Sequence, residues 1–158
     1  MHLTIFISII LDIAIFIAVM MVITGVSSFF IIKDIQKEYK KVYRAHSKFE
    51  IELRKLVNLM YKFMSHTKLE PYNDVVIKQL PHEEKRNLLK IIDEVYETVD
   101  KESEETKYIV ETYQNLEEIR RTRDSKVIVF NQKITLFPFN FYVKIMKLET
   151  FHTFFDKQ

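Results

Sequence analysis

Residues 13–32 read IAIFIAVMMVITGVSSFFII, and residues 33–63 continue without interruption as KDIQKEYKKVYRAHSKFEIELRKLVNLMYKF. The first block carries no charge and is about twenty residues long, enough for a helix to cross a hydrocarbon core of about 30 Å. In the second block the apolar positions Ile35, Tyr39, Val42, His46, Phe49, Leu53, Leu56, Met60 and Phe63 alternate steps of four and three, with His46 the one polar member. That is the period of one helix face. No glycine or proline falls between Val26 and Glu70. The spacing therefore predicts a single helix running from a membrane span to about Ser65.

Working outward, the apolar run begins near Leu3 and contains one acid, Asp12. A cleaved signal peptide would have a basic residue ahead of a shorter apolar core and a small-residue cleavage site. This chain has only Met1-His2 there, so the run reads as an uncleaved anchor, residues 1–32. Asp12 has two readings: it lies at the outer interface with Ile13–Ile32 spanning, or it is buried in the hydrocarbon with a partner or a function. Lys33, Lys37, Lys40, Lys41 and Arg44 crowd the other flank. The excess of positive charge beside a span marks its cytoplasmic side, giving the N-terminus outside and residues 33–158 in the cytoplasm. The same residues attract anionic lipid, so membrane lipid is an expected partner.

Beyond the first helix, Pro71-Tyr72-Asn73-Asp74 predicts a turn, with a short helix possible up to Gln79. Pro81 suits a first helical position, and Glu83 and Glu84 follow in the first turn. Leu88, Ile91, Ile92, Val95 and Val99 form one apolar face, and Asp100 to Glu105 reads as a connection or, alternatively, a helical surface. A third seam runs Ile109, Tyr113, Leu116, Arg120, Arg123, Val127, Phe130, Ile134 and Phe137, until Pro138 stops it. Phe141, Ile145, Leu148, Phe151 and Phe155 make a last amphipathic stretch. The chain has one glycine and three prolines, too little turn chemistry for a sheet of this size. The expectation is an all-α protein: an N-terminal transmembrane helix continuing into an antiparallel helical bundle. Seams this regular also allow a coiled coil between copies, hence a homo-oligomer.

Arg120 and Arg123 sit where the third seam wants apolar residues. A guanidinium buried there needs a carboxylate, and an up-down-up order of helices would bring Glu50, Glu83 or Glu84 to that level. The alternative places Ile119 on the seam and both arginines in water.

The third segment resembles the C-terminal region of the LemA family. That family shows a progression of small-Arg-Arg, Tyr-Asn, Val, Tyr-Asn, Ile and Phe-Pro-x-Asn. Leu116, Arg120-Arg121, Val127, Phe130-Asn131, Ile134, Phe137-Pro138 and Asn140 follow its spacing without a gap, and Phe154 matches a later aromatic. In the first helix Val42, Ala45, His46, Ser47, Phe49, Glu50, Ile51 and Leu53 fit the family's V-x-x-A-W-S-x-I-D-V-x-L spacing. The departures are His46 for tryptophan, Leu56 for arginine, Tyr61 for proline, Arg123-Asp124 for the first Tyr-Asn, and Lys147 for a glycine. Residues 65–113 show no match. The resemblance implies a bacterial, membrane-anchored helical bundle with no established catalytic activity. Its motif positions here are Arg120, Arg121, Asn131, Phe137, Pro138 and Asn140, and it carries over no catalytic residue and no cofactor.

The chemistry in the sequence points the same way. One glycine precludes the glycine-rich phosphate loops. No cysteine precludes thiolate ligands and thiol nucleophiles. His2, His46, His66, His82 and His152 include no i, i+3 or i, i+4 pair. His82-Glu83-Glu84 reads as a charged helix start, and Glu104-Glu105 and Glu117-Glu118 as solvated faces. The mixed-sign surface gives no footprint for nucleic acid. The phenylalanines at 137, 139, 141, 151, 154 and 155 either pack on the bundle or form a docking surface for a protein or the membrane interface. The expected function is a non-enzymatic scaffold or adaptor with unidentified protein partners. The alternative is a lipid-binding or membrane-organising protein acting through its basic flank and aromatic tail.

Overall fold

A computed structural model describes residues 2–64 and 67–154, and all its regular structure is helical, with no strand among the described residues. Helix α1 spans His2–Met64. After the 3-10 turn Thr67–Leu69 come the one-turn α2, Glu70–Asn73, and the 3-10 turn Ile77–Gln79. Then follow α3, His82–Glu97, α4, Lys107–Thr135, and α5, Phe139–Met146. Pro81 stands at the N-cap of α3, one position before its expected place. Ser65, His66 and Phe155 lie outside the described residues.

The chain forms two compact units. Unit 1 comprises residues 1–38 with 134–148, and unit 2 comprises 39–133 with 149–158. Helices α1 and α4 each contribute to both.

In unit 2 the predicted seams become the core. Phe49, Leu53, Leu56 and Met60 of α1, Leu88, Ile92 and Val95 of α3, and Ile109, Leu116 and Ile119 of α4 are buried in one cluster. Phe63, the last residue of the first seam, is exposed instead, because it lies within one residue of the end of α1. Contacts fix the directions. Tyr39 meets Phe130 edge-on at 5.8 Å, and Lys55 lies 4.9 Å over the Tyr108 ring, so α1 and α4 are antiparallel. Tyr96 stacks on Tyr113 at 3.6 Å, while His82 and Arg123 both contact the Phe154 ring, so α3 and α4 are antiparallel too. Helices α1 and α3 therefore run the same way. This corrects the up-down-up order, in which α1 and α4 would be parallel.

The cause is the segment between α1 and α3. Its backbone returns along α1 before α3 begins, and Arg54 holds it there. Nη1 donates to the carbonyls of Tyr72 and Val75, each at 2.9 Å, and Nη2 to that of Asn73 at 2.6 Å. Leu69 and Ile77 on either side are buried. One guanidinium thus satisfies three carbonyls that no helix could. Arg54→Met should destabilise the fold by about 1.5–3 kcal/mol in urea titration, the range for hydrogen bonds to a charged group.

In unit 1, α5 begins after Pro138, which follows a cis peptide bond from Phe137 and caps the helix. The amphipathic stretch is helical only to Met146. Lys147 adopts φ 51°, its N–H bonds the Lys144 carbonyl and that of Leu148 bonds the Val143 carbonyl, both at 3.3 Å. This is the hydrogen-bond pattern of a Schellman cap, where glycine is usual. A side chain in that conformation costs about 1–2 kcal/mol.

Candidate functional site

Sequence alone makes Arg123 a contradiction, a cation on an apolar seam. The structure buries it, with 1% of the residue exposed. Its Nη1 lies 2.5 Å from Asp124 Oδ1, and its guanidinium lies 4.5 Å over the ring of Phe154. Asp124 uses its other oxygen to accept the Phe154 N–H at 2.8 Å. Burial pushes the Arg123 pKa down, opposed by the hydrogen bond and charge of Asp124 and by the charge of Glu50. An arginine keeps its proton in such a setting, so the result is a buried ion pair.

Arg120 contacts Glu117 at 3.0 Å and Asp93 at 4.0 Å. Both arginines do meet carboxylates, but not the expected Glu50, Glu83 or Glu84. Glu50 is already engaged: Lys85 Nζ from α3 lies 2.5 Å from its Oε1, and His46 Nε2, one turn earlier on α1, lies 3.1 Å from the same oxygen. Burial raises the Glu50 pKa, yet the bonds from His46 and Lys85 outweigh it and hold the carboxyl below its usual range. The seam also takes both Ile119 and Arg123 rather than one of them.

Of these groups His46, Glu50 and Arg123 line a cleft of about 310 Å³, whose wall also includes Tyr39, His82 and His152. Residues 149–154, a non-helical strap after α5, form one side of it. Asn131 Nδ2 donates to the Phe151 carbonyl at 2.8 Å, Arg86 to that of Thr153 at 3.4 Å, and Arg120 to that of Phe154 at 3.4 Å. The Phe154 ring is 2% exposed, packed on Phe49 at 4.7 Å and stacked on His82 at 4.6 Å.

Of the motif positions, Arg120 and Asn131 thus converge on the strap, while Arg121 is exposed. Phe137, Pro138 and Asn140 belong to unit 1, where they mark the turn into α5. The aromatic tail divides: Phe154 is core, whereas Phe137 is 85% exposed. Sequence reasoning missed Asp124, Lys85 and the clamp on the strap. A consecutive Arg-Asp inside an apolar seam was the available signal.

At the cleft, Arg123 pairs with Asp124 and Glu50 with Lys85. Among the described residues no group of three or more His, Asp or Glu is placed to hold a metal ion. What the arrangement does is fix the strap: Asp124 neutralises Arg123 and holds a strap N–H with the same carboxylate.

His82 reports on that closure. Burial, then the charges of Arg123, Arg86 and His152, lower its pKa from the ordinary 6.5, with Glu83 opposing. As pH falls the unfolded chain binds this proton first. The contribution to stability is fully present above about pH 6.5 and is lost as pH falls through the lower folded value. NMR titration of the His82 ring should give a midpoint below 6.5.

Comparison with family models, with curated proteins and with solved structures returns no match.

Proposed function

We propose that this chain is a divergent LemA-like protein. In this reading it is a non-enzymatic scaffold or adaptor held in the bacterial cytoplasmic membrane by one span. Its N-terminus lies outside and its helical bundle faces cytoplasmic or membrane-bound protein partners. The observation that carries the proposal is α1. Its N-terminal stretch is apolar enough to cross a membrane, with none of its most apolar window buried, and the same helix supplies the first seam of the unit 2 core. The motif residues Arg120 and Asn131 add support by meeting at one structural element. Lys33, Lys37, Lys40, Lys41 and Arg44 are all exposed beside the span, as an inward-facing basic flank requires. Crosslinking in native membranes followed by mass spectrometry tests the scaffold role: discrete protein partners are expected, and the absence of any crosslinked protein would overturn it. A C-terminal reporter should be active in the cytoplasm, and activity only outside would reverse the orientation.

One observation favours the membrane-organising alternative. Leu136, Phe137, Phe141 and Ile145 in unit 1 are all exposed. Salt-sensitive adsorption of the protein to anionic vesicles without any protein partner would speak for it.

A further inference from the structure

Unit 1 contains α1 as far as Glu38 together with α5. From Phe6 to Ser27 every side chain of α1 is exposed. Coverage begins at Ser28 and continues at Ile31, Ile32 and Ile35, steps of three, one and three that trace one helix face. A hydrogen bond ties α5 to that face. The Ser28 hydroxyl spends its proton on the Thr24 carbonyl at 2.7 Å, so the Tyr142 hydroxyl is the donor in the 2.5 Å contact with Ser28 Oγ. Ser28 precedes Lys33, the first basic residue, by five positions, about 7–8 Å along a helix. Tyr142 therefore reaches past the end of the apolar run, into the depth where a span carries its interfacial tyrosines.

The other face of α5 and the turn before it have no protein cover. Phe137 is 85%, Phe141 57% and Ile145 62% exposed, at spacings of four. Lys144 lies beside them and Lys147 follows, both exposed. Phe141 and Ile145, one turn apart on α5, preceded by exposed Phe137 and flanked by lysines with long apolar stems, form the pattern of a helix lying in a membrane interface, which buries its face about 5–10 Å deep.

Resting on the reading of α1 as a membrane span, we propose that α5 is a second membrane element, a short interfacial helix seated in the leaflet on the Lys33 side. Phe137, Phe141 and Ile145 contact acyl chains, and Lys144 and Lys147 reach lipid phosphates. The occupant is lipid because α5 is tied to α1 at Ser28, among the exposed apolar Val26, Phe29 and Phe30 of that helix. The protein thus meets the bilayer at two points, an anchor and a wedge in one leaflet.

The natural absence of cysteine makes the test direct. Single cysteines replacing Ile23, Ile51, Phe141 or Ile145 in the full chain carry a nitroxide, and the protein is reconstituted in phosphatidylcholine–phosphatidylglycerol vesicles. All four positions are exposed, so the labels leave the packing intact. Spin relaxation by oxygen, which partitions into lipid, is compared with relaxation by a water-soluble nickel chelate. The expected result is that Phe141→Cys and Ile145→Cys resemble Ile23→Cys, with oxygen favoured several-fold, while Ile51→Cys is open to nickel. Nickel access at Phe141 and Ile145 with Ile23 shielded would overturn the wedge and leave the anchor standing. Nickel access at Ile23 as well would overturn both. Labels at Phe141 and Ile145 shielded from both reagents would mean that protein, a second copy or another partner, covers the face, and would also overturn the proposal.

Discussion

Asp124→Ala should destabilise the folded protein by about 3–5 kcal/mol, the range for removing one partner of a buried ion pair. Two losses coincide: the Arg123 guanidinium stays buried without its counter-ion, and the Phe154 N–H loses its acceptor, one of the polar ties between strap and α4. Urea titration of the full chain in detergent, followed by helical circular dichroism, measures the change. The double variant Arg123→Met/Asp124→Leu should recover a large part of the loss, because well-packed apolar groups often replace a buried pair at little cost. If the single variant were as stable as the parent, the pair would be solvated in solution and the clamp would not hold the strap.

Phe154→Ala should cost a similar about 3–5 kcal/mol, the range for deleting a buried aromatic ring. The ring fills the space bounded by Phe49, His82 and Arg123. Removing it also lets water reach His82. Because burial is the main cause that lowers the His82 pKa, the ring titration in Phe154→Ala should move back up toward 6.5. Stability and titration together separate this role from a general loss of packing. A variant that loses stability while His82 keeps its lowered midpoint would show that the ring packs on the core without sealing the cleft.

The long elements were legible because period and burial agree. Nearly every four-three position in α1 and α4 proves buried or half-buried, and the absence of glycine after Gly25 left helix as the economical reading. Helix direction was not legible. It depends on the segment between α1 and α3, where periodicity fails and one residue, Arg54, decides the path through carbonyls that no sequence pattern identifies. The site was half legible. Arg123 announced itself as a misplaced cation, but adjacent residues on a helix do not ordinarily face each other, so its own neighbour was a poor guess as partner. Glu50 was a reasonable one, and Lys85 and His46 had taken it. The strap, lacking period, cap or charge run, gave no signal beyond its aromatic rings.

The strap also imposes a schedule. It is C-terminal to every helix it packs on, so during synthesis α1, α3 and α4 all emerge before Phe154 does. Until then the Arg123–Asp124 pair has no aromatic roof and the Phe49 side of the core is open. Unit 2 cannot finish closing one helix at a time from its N-terminus; its last step waits for at least 154 residues of chain. A ribosome stalled before the strap would therefore display an incompletely closed bundle, the form most open to proteases and chaperones.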